Sequence, residues 1–194
     1  KLATVNYPAS WTTKSYTSSH YRDSNDSPFY NCAKLTSIVI PEGVTSIPAD
    51  AFFNASSLKS VSLPSTLTSI GNYAFYGCTG LNNIDLSGIE TIGSQSFTNC
   101  SGLTGIDLTS IQSIGDYAFE ACTGLTSVAV PSCTMSTGTF YGCTGITSAT
   151  FGRRTTLMGS TFYGCTGLVS VNLPEGLEVI QGYAFRGCTS LESI

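Results

Sequence analysis

The stretch "FYGCTGLNNIDL", Phe75 to Leu86, places apolar residues at its first, fourth, seventh, tenth and twelfth positions. The same arrangement recurs along the chain. Aligning Phe29, Phe52, Phe75, Phe97, Phe119, Phe140, Phe162 and Phe185 gives separations of 21 to 23 residues, a period in the range of stacked repeats. The unit reads F-x-x-C-x-x-L-x-x-I-x-L. Its last part alternates apolar and polar residues, which predicts a strand with one buried face. The following stretch, such as "LTSIGNYAF" (Leu67 to Phe75), predicts a second, shorter strand through Leu67 and Ile70. Gly71 and Asn72 then serve as breaker and cap before one helical turn.

A unit of this length buries some six apolar side chains at about 1.5 to 3 kcal/mol each. That cannot offset the ordering entropy of its own backbone, so the units must stack. Stacking puts equivalent residues about 4.8 Å apart and turns each position into a ladder. One ladder holds Cys32, Cys78, Cys100, Cys122, Cys143, Cys165 and Cys188, with Ala55 as its single missing rung. A position that accepts alanine is filled for size, so these are expected to be buried, reduced thiols. Their parallel side-chain vectors oppose bridging, and no two cysteines lie within four residues of each other as zinc-binding pairs do. Cys133 stands outside the ladder, at the short-strand position held by Ile89 and Ile111, and is expected in the core.

With "AFYGC" at Ala74 to Cys78 and "LPSTLTSIG" at Leu63 to Gly71, the chain resembles the BspA-like leucine-rich-repeat surface proteins over residues 29 to 194. The resemblance implies an α/β leucine-rich-repeat solenoid, with parallel strands on one face and short strands and helical turns on the other. It also implies an extracellular or cell-surface protein that adheres to host or matrix proteins and has no catalytic residues. The pattern departs at "FGRRTTL" (Phe151 to Leu157), where Arg154 replaces an apolar residue and weakens the short strand expected there. The repeat around Cys133 to Ser136 is one residue short.

Residues 1–28 read as a first partial repeat. Leu2, Val5 and Tyr7 reproduce the strand spacing of Leu58, Val61 and Leu63, but Tyr7 to Phe29 spans 22 residues where Leu63 to Phe75 spans 12, an insertion of ten. It holds Trp11, Tyr16, His20, Tyr21, Arg22 and Asp23, a mixture suited to ligand binding. Residues 29–194 read as one continuous solenoid that opens and closes in mid-repeat, the expected appearance of a fragment of a longer array.

Twelve acidic against eight basic residues, a net charge of −4, provide no footprint for nucleic acid. No apolar run approaches the length of a membrane-spanning helix. The single histidine, His20, has no visible catalytic partner, and neither a phosphate-binding nor a metal motif accompanies it. The chain is therefore expected to be a non-enzymatic module without cofactors. Its expected ligand is a protein or alternatively a glycan; a structural spacer is the competing class. An outward column Thr4, Ser37, Ser60, Asn83, Gly105, Ser127, Ser148, Ser170, Ser193 offers a flat polar face. Tyr76, Tyr141 and Tyr163 beside the core phenylalanines either anchor a ligand or pack between repeats. Asp85 and Asp107 share one outward position in adjacent repeats, where repulsion is expected to raise one pKa unless a cation such as calcium is shared.

Overall fold

The computed structural model describes residues 29, 32, 34–154 and 156–194. They form a succession of short strands and turns that stacks into a parallel β-solenoid. Longer strands such as Ser37–Val39, Ser60–Ser62 and Ser127–Val130 make one face, and two-residue strands such as Ser46–Ile47 and Ser69–Ile70 make another. Every pairing is parallel and joins equivalent positions: Ser37 faces Ser60, Ile38 faces Val61, and Ile47 faces Ile70. The register follows from burial, because Ile38, Val61 and Ile84 point inward while their neighbours do not, and a one-residue slip would expose them all.

The expected helical turn is absent: no helix occurs among the described residues, so the architecture there is all-β rather than α/β. The physical reason lies in the backbone around each core phenylalanine. Two residues before it and two after it, the chain takes positive φ, as at Tyr73 (59°) and Gly77 (71°) or Gln95 (53°) and Asn99 (63°). Such residues cannot propagate a right-handed helix. The segment becomes a run of tight turns in which alternate amides donate outside the repeat. Phe52 donates to Ala74 O at 2.7 Å and Asn54 to Tyr76 O at 2.7 Å, while Phe53 closes locally on Asp50 O at 3.1 Å.

The turn edge is the spine of the molecule. Its inter-repeat bonds run without a break from Asp50 to Arg186, whereas both strand ladders are interrupted. The long-strand ladder stops after Asn83–Ile84 and resumes at Ser127–Val130, because no strand forms in the repeat that carries Gly105. Glycine has most backbone freedom to lose and no side chain to pack there. The short-strand ladder stops at Thr134–Met135. The strand that Arg154 was expected to weaken does form, at Thr156–Leu157, but it pairs only onward, with Val179–Ile180.

Along the spine the phenylalanine rings stack continuously from Phe29 to Phe185, with centroids 5.1 to 5.9 Å apart and planes within 13° of parallel. Phe52, Phe75, Phe97, Phe119, Phe140 and Phe162 are fully buried.

Candidate functional site

The cysteine column lies beside this stack, and its geometry shows why the spacing F-x-x-C is kept. Each thiol reaches back one repeat and donates to a phenylalanine carbonyl: Cys78 to Phe52 O at 3.2 Å, Cys100 to Phe75 O at 3.1 Å, Cys122 to Phe97 O at 3.1 Å and Cys143 to Phe119 O at 3.0 Å. The same carbonyls accept the amide three residues on within their own repeat, as Phe75 O does from Cys78 N at 3.1 Å. The column therefore does more than fill space. It joins adjacent repeats by a hydrogen bond that the alanine rung at Ala55 cannot make.

All eight cysteines are free thiols. Cys78, Cys100, Cys122, Cys143 and Cys165 are buried, while Cys32, Cys188 and the off-column Cys133 are only partly so. Burial pushes the Cys78 thiol up to about 12 and raises Cys100, Cys122 and Cys143 well above the ordinary thiol value, the neighbouring thiol's charge adding to the rise in these three. A nucleophilic thiolate is thereby disfavoured throughout the column.

Asp85 follows the last rung before the interruption, and Asp107 lies in the repeat that carries Gly105. With Asn83, Thr104, Gly105 and Ile106 they line a surface depression of about 620 Å³. The expected rise of one carboxyl pKa does not occur. Asp85 Oδ1 accepts the Ser87 amide at 3.0 Å and Asp107 Oδ1 accepts the Thr109 amide at 2.9 Å, and these bonds hold both carboxyls below the ordinary value, with the Asp85 charge opposing only weakly at Asp107. The carboxylates close the turns that follow the strand in repeats lacking proline. Among the described residues no group of three or more His, Cys, Asp or Glu side chains converges on one point. Both carboxyl carbons should accordingly titrate below a midpoint of 3.8 by NMR. Because folding lowers these pKa values, the turns contribute most above the ordinary carboxyl range and lose their contribution as pH falls through the folded values. A midpoint displaced upward at either residue would restore the repulsion argument.

The aromatic residues of the turn edge pack on one another. Phe53 stacks on Tyr76 and Tyr141 on Tyr163, each pair at 4.7 Å and within 4° of parallel. Tyr117 meets Tyr141 edge-on and lies over Gly138, where a Cβ would collide with its ring. Arg186 sits over both Tyr163 and Tyr183. Ring faces are thus largely consumed between repeats.

At the break in the short-strand ladder, Arg154 fills the place of an apolar residue. It donates from Nη2 to Pro131 O at 2.8 Å and lies 4.8 Å from the centre of the Phe151 ring. Cys133 is half-buried beside it rather than in the core, and burial raises its pKa against the opposing influence of the Arg154 charge. The repeat is one residue short there; Cys133 packs against the edge of the core while Ser132 is exposed. Sequence reading flagged both residues as irregular but did not bring them together; their opposition across adjacent repeats was the available signal.

Trp11, Tyr16, His20, Tyr21, Arg22 and Asp23 lie outside the described residues. The strand face is described and continuous in character: Ser60, Asn83, Gly105 and Ser127 are exposed, and Ser37, Ser148 and Ser170 partly so. No helix among the described residues is long and apolar enough to cross a membrane.

Residues 23–147 and 108–194 match the family described as "BspA type Leucine rich repeat region (6 copies)". No curated protein matches the sequence significantly. Among solved structures, a leucine-rich repeat protein of T. pallidum is 33% identical with a TM-score of 0.74, over 82% of this chain and 79% of that one. A leucine-rich cell surface protein of Faecalibacterium prausnitzii is 28% identical with a TM-score of 0.51, over 84% of this chain and 54% of that one. A leucine-rich-repeat protein of Eubacterium ventriosum shares the fold at 24% identity and a TM-score of 0.64, over 78% of this chain and 42% of its own.

Proposed function

Because the chain belongs to the BspA-type leucine-rich-repeat family, whose members are in general protein-interaction modules, we propose that it is a non-enzymatic cell-surface or secreted adhesion module that recognises a protein through its long-strand face. The observation that carries this reading is the outward column from Ser37 to Ser170. Its side chains are small and polar, so a large partner can approach the backbone closely, and the flanking columns vary enough to specify one. Val39 is 54% exposed, and Lys59, Asp85, Asp107 and Glu192 are exposed as well. A spacer needs no such variation.

Glycan recognition is supported less, because sugars stack on aromatic faces and those of Tyr76 and Tyr141 are turned toward neighbouring rings. The insertion bearing Trp11 and Arg22 is the second candidate surface, on the strength of its composition alone. A cation shared by Asp85 and Asp107 is a subordinate reading that calcium calorimetry on wild type and Asp85→Asn would decide.

The test is capture of immobilised host-cell-surface and matrix proteins by the intact chain and by Ser60→Arg and Ser127→Arg. An arginine on the contact face should weaken capture by about tenfold or more at unchanged melting temperature. Undiminished capture by both variants contradicts the strand face. Loss of capture on shortening the segment between Thr12 and Asn25 would then place recognition in the insertion.

A further inference from the structure

The interrupted short-strand ladder leaves an open surface depression of about 540 Å³ whose wall includes Arg153, Arg154, Ser132, Thr134, Met135 and Thr156. It lies where one repeat carries Arg154 in place of its apolar plug. The inward residue before the short strand is Val44, Leu67, Ile89, Ile111 or Leu177 in other repeats; in the repeat that is one residue short the half-buried Cys133 packs against the core while Ser132 is exposed, and in the next repeat Arg154 stands there. The Arg154 guanidinium enters the space so left. Its Nη2 bonds Pro131 O, its Nη1 lies 3.9 Å from Met135 Sδ, and its Nε is buried without a hydrogen-bond partner. Burial also lowers its pKa, against the opposing influence of the Cys133 thiol that hydrogen-bonds it. Arg153 beside it is exposed. Among the described residues no carboxylate forms an ion pair with either arginine, in a protein whose net charge is −4.

Backbone polarity adds donors. Elsewhere in this ladder the amides equivalent to those of Thr156 and Met158 donate to the preceding repeat's carbonyls, as Thr91 does to Thr68 O, Gly93 to Ile70 O and Ser136 to Ile114 O. The parallel strand Thr156–Leu157 has the same polarity, which aims the amides of Thr156 and Met158 at the break.

We propose that this depression is a carboxylate-binding site, in which the Arg153 and Arg154 guanidinium groups and the amides at the ladder break receive one carboxylate. A guanidinium fork matches the two oxygens of a planar carboxylate. Arg154 is already held in place by Pro131 and Phe151, so little ordering is needed on binding. The carboxylate belongs either to a free organic acid or to an acidic side chain of a protein partner, and the site is independent of which solenoid face makes the main contact.

The test is calorimetric titration at low ionic strength with two probes, citrate and an acetylated, amidated Asp-Glu peptide, on wild type, Arg153→Gln and Arg154→Met. At least one probe should bind wild type saturably, and each substitution should weaken it by about tenfold. Arg154→Met restores an apolar residue to an otherwise apolar column, so its melting temperature should hold or rise and certify the fold. Should that variant fail to fold, Arg153→Gln alone remains decisive. Citrate binding identifies a free acid as sufficient, and peptide binding alone identifies an acidic segment of a partner; both support the site. Absence of saturable binding by either probe, or equal binding by wild type and Arg153→Gln, overturns it.

Discussion

Replacing Phe97 with alanine is expected to destabilise the protein by about 3 to 5 kcal/mol, the range for truncating a buried phenylalanine. Phe97 is fully buried and stacked on both sides, 5.3 Å from Phe75 and 5.2 Å from Phe119. It also sits at the centre of a stack that crosses both strand interruptions. In a solenoid, stability is close to a sum of repeat and nearest-neighbour terms, so a void here weakens two interfaces at once. Urea unfolding should show a lower midpoint, and a second transition if the halves uncouple. Phe185→Ala is the control: that ring is partly exposed and stacks on Phe162 alone, so its loss should cost clearly less. Equal costs at the two positions would mean that the stack does not carry the coupling between repeats.

Cys122→Asp is expected to abolish folding, whereas Cys122→Ala should cost about 1 to 2 kcal/mol. Cys122 is fully buried, and its sulfur donates to Phe97 O. An aspartate there either buries an unpaired charge or takes up a proton at a large cost, and its carboxylate faces a carbonyl oxygen it cannot bond while ionised. Alanine is already tolerated in the column at Ala55 and loses only the thiol contact and some packing. The comparison is read by circular dichroism and by urea midpoints of whichever variants fold. A folded aspartate variant would show the column to be accessible to water.

The repeat, its parallel stacking and most of its core were legible in the sequence because burial is periodic there: the Phe, Leu and Ile positions recur at fixed spacing, and each became a ladder. The helical turn was misjudged because Gly71 and Asn72 read as helix signals by composition alone. What decides the conformation is the alternation of left-handed residues at Tyr73 and Gly77 and the bonds to the next repeat, neither of which is a local composition signal. The cysteine column was recognised as buried, but filling for size was only part of its role, since the thiol-to-carbonyl bond spans repeats and is invisible within one. Cys133 was read as core and does pack against it, but only half-buried, because the repeat is one residue short there. Asp85 and Asp107 were correctly paired as neighbours, yet their hydrogen bonds to Ser87 and Thr109 outweigh their mutual repulsion. The Arg154 depression needed the break in the short-strand ladder to be seen.

The central claim is that the recurring cysteine is a structural rung of the spine and not a chemical group. Mass-spectrometric counting of thiols after brief alkylation, without prior reduction, tests it most directly. In native protein Cys78, Cys100, Cys122, Cys143 and Cys165 should remain unlabelled while Cys32, Cys133 and Cys188 react, and all eight should label in denaturant. Rapid native labelling of the five buried thiols, or failure of thiols to label in denaturant because they are paired as disulfides, would contradict it.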